Sequence, residues 1–207
     1  MKNIDKVQNL LPLGYLFLIL LGIAKESIFY YQLGINIVRY SSIMDILISP
    51  VAAITSNPIF FITVLILFIF SFKLPQILLK NEDKKGLHKV FGSKITKTEK
   101  TKNEVPEKER IDYYNNVAIE FLAAFLISIF LGYGFADGRY ISQKIKNNKI
   151  DYNYKLNYTN DKSENIYVIG SNTAYYFYLS EGNPTVKIAP VASIRNLELT
   201  KNRMLNK

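Results

Sequence analysis

Charged and apolar side chains are segregated along this chain, and that segregation limits what the chain can fold into. Three windows are almost free of ionisable residues: Leu10–Ala24, Pro58–Phe72 and Val117–Phe135. Residues 73–112, in contrast, hold eleven Lys and Arg and seven Asp and Glu. Apolar windows separated by charged segments are typical of helices that cross a bilayer. The pattern excludes an ordinary water-soluble globule and predicts an integral membrane protein.

The composition also argues against several kinds of chemistry. The chain has no cysteine, which excludes disulfides and thiolate metal sites, and a single histidine, His88. One histidine argues against both a histidine metal cluster and a Ser-His-Asp triad. The sequence contains no P-loop and no G-x-S-x-G motif. We therefore predict no catalytic residue, no metal site, no cofactor and no enzymatic activity.

The first span must extend beyond its apolar window. The fifteen residues Leu10–Ala24 cover only about 22 Å of a hydrocarbon core of about 30 Å. The helix is expected to continue to Tyr31, with the Lys25 side chain reaching towards the headgroups. Tyr30 and Tyr31 are predicted to form an interfacial aromatic belt. A cleaved signal peptide is the alternative, because basic residues precede the window and small residues end it.

Residues 33–57 form an apolar but interrupted segment. Ser42 and Asp45 match the S-x-x-D form of a capping box, which predicts a short helix from about Ile43 to Ile54. We interpret the segment as interfacial, lying along the membrane surface. A re-entrant, pore-lining element that carries the charges of Arg39 and Asp45 is the alternative.

A second span and a lysine-rich loop follow. Asn57 and Pro58 predict a helix start, and this helix is expected to end near Leu79, so that residues 1–80 hold two transmembrane helices. Residues 81–112 show no apolar period, which predicts a disordered cytoplasmic loop. The basic excess suits anionic lipid headgroups, and no motif supports nucleic-acid binding. The expected partner is the lipid bilayer.

The distribution of basic residues predicts the orientation. The N-terminus carries two basic residues and residues 73–112 carry eleven, so thirteen lie on one side if three spans cross the membrane. The positive-inside rule places that side in the cytoplasm and the C-terminal region outside it. Four basic residues after the third span oppose this orientation: Arg139, Lys144, Lys146 and Lys149.

The third span is predicted over residues 113–138. Its apolar run contains one carboxylate, Glu120, about one turn from the cytoplasmic start, where it favours the helix dipole. An ion or proton relay through Glu120 is the alternative. Two small-xxx-small pairs near the end predict close helix packing, and with it a self-association face. These pairs are Gly132 with Ala136 and Gly134 with Gly138.

The C-terminal residues 150–200 carry a β pattern. Residues 150–158 alternate strictly between apolar or aromatic and polar, which predicts a half-buried strand. Residues 164–170 and 173–180 predict a hairpin joined by Ser171 and Asn172, and residues 185–189 and 193–199 predict further strands. Spacing of this kind predicts a small antiparallel barrel or twisted sheet.

Tyrosines are abundant in this module, and they allow two interpretations. They form either the core of a small domain or an exposed recognition surface. The candidate surface comprises Tyr152, Tyr154, Tyr175, Tyr176 and Tyr178.

Two segments resemble a scattered group of small bacterial membrane proteins with a soluble β-rich tail. One is Tyr31–Tyr40 (YQLGINIVRY) followed by Ser42–Leu47. The other is Tyr167–Asn172 (YVIGSN) with Tyr176–Tyr178 and Ile188–Pro190. The resemblance implies a bacterial envelope protein and transfers no activity and no site residues.

The predicted fold class is therefore membrane α+β, with three transmembrane helices and a small antiparallel β-module. The leading functional hypothesis is a non-enzymatic bacterial inner-membrane protein whose helices anchor a module that binds or senses a partner. A homo-oligomer, or a protein partner held by the β-module, is compatible with it. The alternative is a subunit of an oligomeric channel or transporter, supported by Arg39, Asp45, Glu120 and the glycine pairs. The candidate intramembrane or interfacial charges are Lys25, Arg39, Asp45 and Glu120.

Overall fold

A computed structural model of the chain describes residues 2–81 and 107–201. Its helices are α1 (Lys2–Tyr31), α2 (Ile43–Ser56), α3 (Pro58–Lys80) and α4 (Glu107–Lys146). Its strands are β1 (Tyr154–Tyr158), β2 (Ser163–Ser171), β3 (Tyr175–Ser180), β4 (Val186–Pro190) and β5 (Ile194–Leu199). Short 3₁₀ turns cover Ile37–Arg39 and Val191–Ser193. The predicted α+β class with a C-terminal antiparallel sheet is confirmed.

Three of the helices are long and apolar enough to cross a membrane. The qualifying stretches are Pro12–Tyr31, Pro58–Lys80 and Arg110–Lys146, with 20, 23 and 37 residues. α2 is apolar but too short to qualify. The three predicted spans therefore correspond to three helices, and the segment between the first two contains the predicted short helix.

The helix starts follow the capping residues. At α2, the Asp45 backbone N–H donates to Ser42 Oγ over 3.1 Å, and the Ser42 N–H donates to Asp45 Oδ2 over 2.9 Å. At α3, the Asn57 side-chain oxygen accepts from two backbone N–H groups of the first turn, and Pro58 occupies the first turn. Both predicted starts are confirmed, because these side chains satisfy N–H groups that a helix leaves unpaired.

The third predicted span was too short. α4 begins at Glu107 and ends at Lys146, beyond both limits of the predicted 113–138. Hydropathy detects only the part of a helix suited to lipid, whereas polar flanks with good helix propensity continue the same backbone hydrogen bonding. Most of the predicted lysine-rich loop 81–112, including His88, lies outside the described residues.

The described residues fall into two compact units. One combines the chain up to Ala52 with the chain from Phe130 onward, and the other comprises the described residues between Ala53 and Ile129. In the second unit the buried side of α3 repeats at intervals of four and three residues, through Phe60, Val64, Leu67, Ser71, Leu74 and Leu78. Leu74 and Leu78, in the C-terminal part of α3, pack with Tyr114 and Ala118 of α4. This spacing is typical of a narrow helix-packing seam.

The sheet of the first unit is antiparallel throughout and has the strand order β4-β3-β2-β1-β5. It does not close into a barrel, so the twisted-sheet alternative is the correct one. Bulges after Asn157 and after Val168 shift the register and increase the local bend. One face carries a core with members from all five strands, centred on Leu156, Ile166 and Tyr178.

The other face of the sheet belongs to a core shared with the helices. Phe177 of β3 is fully buried together with Phe29 and Tyr30 at the end of α1, Ile37 of the 3₁₀ turn and Ile141 of α4. The sheet and the end of α1 are therefore one folding unit, whereas the sequence suggested a separate module attached to an anchor.

Strand limits differ from the prediction in two places. β1 begins at Tyr154, although the alternating pattern starts at residue 150. The β2–β3 loop is Asn172–Ala174, one residue longer than the predicted two-residue connection. The reason is local, because the Asn172 side-chain oxygen accepts from the backbone N–H groups of Ala174 and Tyr175 at 3.0 and 2.8 Å and forms its own turn.

Candidate functional site: a charged cluster and a cavity beside α1

Two glycines of α4 let that helix approach the backbone of α1. A Cβ atom at Gly134 would lie 2.6 Å from the carbonyl oxygen of Lys25, and one at Gly138 would lie 2.8 Å from that of Phe29. The Gln32 side chain donates to the carbonyl of Phe135 over 2.9 Å. Because position 134 matches 25 and position 138 matches 29, α1 and this part of α4 run parallel.

A third glycine brings α2 against α1. A Cβ atom at Gly22 would overlap the carbonyl oxygen of Ile46, so only glycine allows this approach. One turn further along both helices, Ser49 of α2 faces Lys25 and Glu26 of α1. The C-terminal part of α1 (residues 22–31) therefore packs against α2 on one side and against α4 on another.

A charged cluster occupies this junction. The Lys25 ammonium lies 2.6 Å from the Glu26 carboxylate, and the two side chains are only 15% and 19% exposed. The buried Ser49 hydroxyl donates to the same carboxylate oxygen, and Lys25 Nζ lies 3.5 Å from Ser49 Oγ. Asp137 of α4 is near enough to interact electrostatically with both charges of α1. Ionisable groups in apolar helices are costly, and they usually carry a function.

A cavity of about 410 Å³ opens next to the cluster. Lys25, Glu26 and Ser49 line its helical wall, and Asn172 and Thr173 of the β2–β3 loop line the opposite wall. Ile46, Ile48 and Phe177 give it an apolar part. A cavity with a few convergent polar groups and an apolar wall can hold a small amphipathic ligand or the side chain of a peptide.

The β2–β3 loop is fastened to the start of α2 at the mouth of this cavity. Asp45 accepts from the Thr173 backbone N–H and from the Thr173 hydroxyl, each at 3.1 Å. The Asn172 side-chain amide donates to the carbonyl of Tyr40 over 3.0 Å. Partial desolvation works against the charged form of Asp45, but hydrogen bonds from Ser42 and Thr173 outweigh it and lower the pKa of the carboxyl group.

Aromatic packing fixes the sheet on α1 above the cavity. The Tyr30 and Phe177 rings have centroids 5.0 Å apart, and Tyr40 packs edge-on against Tyr175 at 5.5 Å. Gly170 leaves room for the Tyr30 hydroxyl, which a Cβ atom would overlap. Tyr30 is only 4% exposed, so its predicted place in an interfacial belt is wrong, while Tyr31 is 83% exposed.

A second polar network lies on the opposite face of the sheet. The Glu164 carboxylate accepts from Lys187 at 2.7 Å, from Ser180 at 2.5 Å and from the Tyr158 hydroxyl. Partial desolvation raises the pKa of Glu164, but these hydrogen bonds outweigh it and bring the pKa down to about 2. Burial, with the hydrogen bond to Glu164, raises the pKa of Tyr158. The network closes on itself, which is typical of a structural role.

The structure brings only some of the candidate charges together. Lys25 and Asp45 both line the cavity. Arg39 is exposed in the 3₁₀ turn and lies outside the cavity lining. Glu120 is exposed on α4 and belongs to the other compact unit.

The candidate glycine pairs divide in the same way. Gly134 and Gly138 are buried against α1, which gives that pair a packing role within the chain. Gly132 and Ala136 are exposed, and nothing lies within 4 Å of a Cβ atom placed at Gly132. A self-association face on this exposed pair stays a prediction.

The candidate tyrosine surface is largely covered. Tyr178 is 2% exposed, so it belongs to the core of the sheet. Tyr154 and Tyr176 pack against the same core, and Tyr175 packs against the core shared with α1. Tyr152 is half-buried. The core interpretation therefore describes these side chains better than the recognition surface.

Sequence reasoning missed Glu26, Ser49 and Asp137 as members of a site. Glu26 was visible as the neighbour of Lys25 in an apolar helix, and Asp137 as a carboxylate just past an apolar run. Ser49 gave no signal, because a serine in an apolar helix is common. Among residues 2–81 and 107–201, no group of three His, Cys, Asp or Glu side chains is placed to hold a metal ion.

Comparison with known proteins adds no relative: no protein-family profile, no curated protein and no solved structure matches this chain. The resemblance to small bacterial membrane proteins with a β-rich tail stays a prediction.

Proposed function

We propose that this chain is a non-enzymatic bacterial inner-membrane protein, in which three helices hold a β-rich module that binds or senses a partner outside the cytoplasm. The supporting observation is the junction of the β2–β3 loop with α2 at the mouth of the cavity. The loop is fastened by Asp45, and the walls of the cavity come from the loop on one side and from α1 and α2 on the other.

This arrangement supports sensing because it couples the sheet to the helices. A ligand in the cavity would touch both the loop and Ser49, whose hydroxyl is hydrogen-bonded within the charged cluster. Occupancy therefore favours one spacing of loop and helix over another, which is the differential interaction that a ligand-driven change requires. Binding and sensing of this kind require no chemical step.

The proposal is tested by site-specific photo-crosslinking in bacterial membranes. A photoreactive residue replaces Ala174, which is exposed in the β2–β3 loop, and the matched control replaces Thr185, which is exposed elsewhere on the sheet. We expect a discrete adduct, identified by mass spectrometry, at position 174 only, and its loss when Asp45→Ala releases the loop. Equal adducts at both positions, or none at either, would reject the cavity as the binding site.

The proposed orientation has its own test. The chain has no native cysteine, so single cysteines at Ser171 and Ser93 can be labelled with a membrane-impermeant maleimide. In intact cells we expect labelling at position 171 only, and labelling at position 93 only after the membrane is opened. The reverse order would place the sheet in the cytoplasm.

One observation favours the alternative, a subunit of an oligomeric channel or transporter. The charged cluster joins ionisable residues of two span-length apolar helices, α1 and α4, as expected along an ion path. The alternative predicts ion flux in liposomes that decreases with Glu26→Gln. Liposomes that stay silent with the folded protein would leave the binding proposal as the better account.

A further inference from the structure

We infer that α2 is immersed in the membrane leaflet on the side of the sheet, with its outward face against lipid acyl chains. This inference rests on the proposed crossing of the membrane by α1 and α4, and it does not depend on what the sheet binds. It commits the exposed face of α2 to one partner, the hydrocarbon of that leaflet.

The charge-free windows of α1 and α4 end at nearly the same height in the membrane. The charge-free window of α1 ends at Ala24, and that of α4 ends at Phe135. The contact of Gly134 with the carbonyl of Lys25 brings these two ends to within two residues of the same height, or about 3 Å along the helices. Two helices that run parallel therefore leave the apolar zone together, and Lys25, Glu26 and Asp137 lie at or just beyond its edge.

α2 contacts α1 at the level where the charge-free window of α1 ends. Ile46 lies against Gly22, which precedes Ala24 by two residues, or about 3 Å along the helix. Ser49 lies against Lys25 and Glu26, just past the same edge. α2 therefore straddles the boundary, at the depth of about 5–10 Å to which the apolar face of an interfacial helix is buried.

α2 has one buried side and one exposed apolar side. The buried side comprises Ile46, Ser49, Pro50 and Ala53, and it includes the polar contact with the charged cluster. The opposite side is apolar and exposed, with Met44 at 68% and Val51 at 50%. Ile43 in the first turn is 69% exposed, and Ile48, which also lines the cavity, is 60% exposed. A helix at the surface of a water-soluble domain shows the reverse pattern. Acyl chains fit this face, and they continue the lipid-facing surface of α1.

The same distribution separates this arrangement from a pore. A pore-lining helix turns its polar side to the water-filled path, whereas here the polar side is occupied by α1 and the outer side is apolar. The β2–β3 loop is fastened to the N-terminus of α2. Immersion of α2 therefore holds the sheet close to the membrane surface.

The test uses tryptophan as a depth probe, because the chain has no native tryptophan. The full-length variants Met44→Trp and Val51→Trp, both on the exposed side of α2, are reconstituted into vesicles of phosphatidylcholine with bromine at defined acyl-chain positions. Leu16→Trp, at a 53% exposed position of α1, reports hydrocarbon, and Thr185→Trp, on the exposed surface of the sheet, reports water. We expect the two α2 probes to be quenched about as strongly as Leu16→Trp and several-fold more than Thr185→Trp.

Each other result has a distinct meaning. Weak quenching of Leu16→Trp as well would reject the proposed membrane crossing itself. Strong quenching of Leu16→Trp with weak quenching and red-shifted emission of both α2 probes would overturn the inference in favour of water. Weak quenching with blue-shifted emission would overturn it in favour of protein, such as a second copy of the chain. Spin labels on Met44→Cys and Val51→Cys provide a second check. Higher accessibility to oxygen than to a nickel complex indicates lipid, and the reverse indicates water.

Discussion

α3 and the C-terminal part of α1 (residues 22–31) are both apolar helices, but they differ in the polar and close-packed contacts that their side chains make. α3 has no ionisable side chain between its cap and Lys73, and over that stretch its exposed side chains are aliphatic or aromatic apart from Thr63. The last ten residues of α1 contain an ion pair, a glycine contact with α2 and a tyrosine buried under the sheet. The comparison separates apolarity required by lipid from specificity required by protein contacts.

The difference shows where a function can reside. A lipid-facing helix needs only hydrophobicity and length, so many sequences satisfy it. A helix that meets another backbone at glycines and places charges opposite a serine tolerates few replacements. Substitutions should therefore have large effects at the end of α1 and its partners and small effects on α3.

The largest effect is expected from Gly138→Leu. A Cβ atom there would lie 2.8 Å from the carbonyl of Phe29, and overpacking a tight site costs about 1–3 kcal/mol or more. We expect loss of the cooperative thermal unfolding transition, measured by circular dichroism in detergent. Gly132→Leu is the matched control and should keep that transition, because nothing lies within 4 Å of its Cβ position. Equal behaviour of the two variants would contradict the helix contact.

The next effect concerns the charged cluster. Lys25→Met leaves the Glu26 carboxylate without its cation in a site where the side chain is 19% exposed. The Ser49 hydroxyl still donates to the carboxylate, but the loss of a partner by a largely buried charge costs about 1–3 kcal/mol. Lys73→Met, at an exposed position of α3, is the control. Chemical denaturation should show a clear loss for the first variant and almost none for the second, and the double variant Lys25→Met/Glu26→Met should recover part of the loss.

An intermediate effect is expected where the β2–β3 loop is fastened. Asp45→Ala removes the acceptor for Ser42 in the capping box, worth at most a helix cap at about 0.5–2 kcal/mol, and also the two hydrogen bonds from Thr173. Thr173→Val removes only the hydroxyl bond and should cost less. Hydrogen exchange should become faster in the loop and the first turn of α2 but not in β1. Unchanged exchange in Asp45→Ala would show that the loop is held by other contacts.

Acid should loosen the sheet through Glu164. Its pKa is lowered from 4.5 to about 2 in the folded protein, so its contribution to stability is present above pH 4.5 and is lost as the pH falls towards 2. The melting temperature of the wild type should therefore decrease as the pH is lowered from 4.5 to about 2. Glu164→Gln should start lower and fall less over the same range, and parallel curves would rule out this carboxylate as the cause.

The smallest effect is expected on the lipid-facing side of α3. Ile66→Leu, at a position 61% exposed, keeps the hydrophobicity and changes only the shape. The free energy of unfolding, measured by thermal denaturation, should stay within about 0.5 kcal/mol of the wild-type value. A larger change would mean that this side of α3 contacts protein, and the contrast with α1 would then be weaker.

Much of the fold could be predicted because its signals are local. The capping residues Ser42 and Asn57 lie within four residues of the N–H groups they satisfy, and the apolar windows and the alternation of β1 are continuous in sequence. The hairpin and the turn at Gly182, where φ is +76°, follow from short-range preferences.

The candidate site could be predicted only in part, because its members are distant in sequence. Lys25 was identifiable as a charge in an apolar helix. Its association with Asp137 depends on the alignment of α1 and α4, which two glycines set and which no local pattern encodes. Tyr30 had the position of an interfacial residue, and only the sheet above it explains its burial.

The composition of the first compact unit has a consequence for biogenesis. Residues up to Ala52 and residues from Phe130 onward form this unit together, so the ribosome makes α1 well before the sheet that covers Tyr30. Until α4 and the sheet have been made, the nascent chain holds Lys25 and Glu26 without Asp137 and leaves the aromatic end of α1 uncovered. A truncation before the sheet would leave Tyr30 and Phe29 without the partners that bury them.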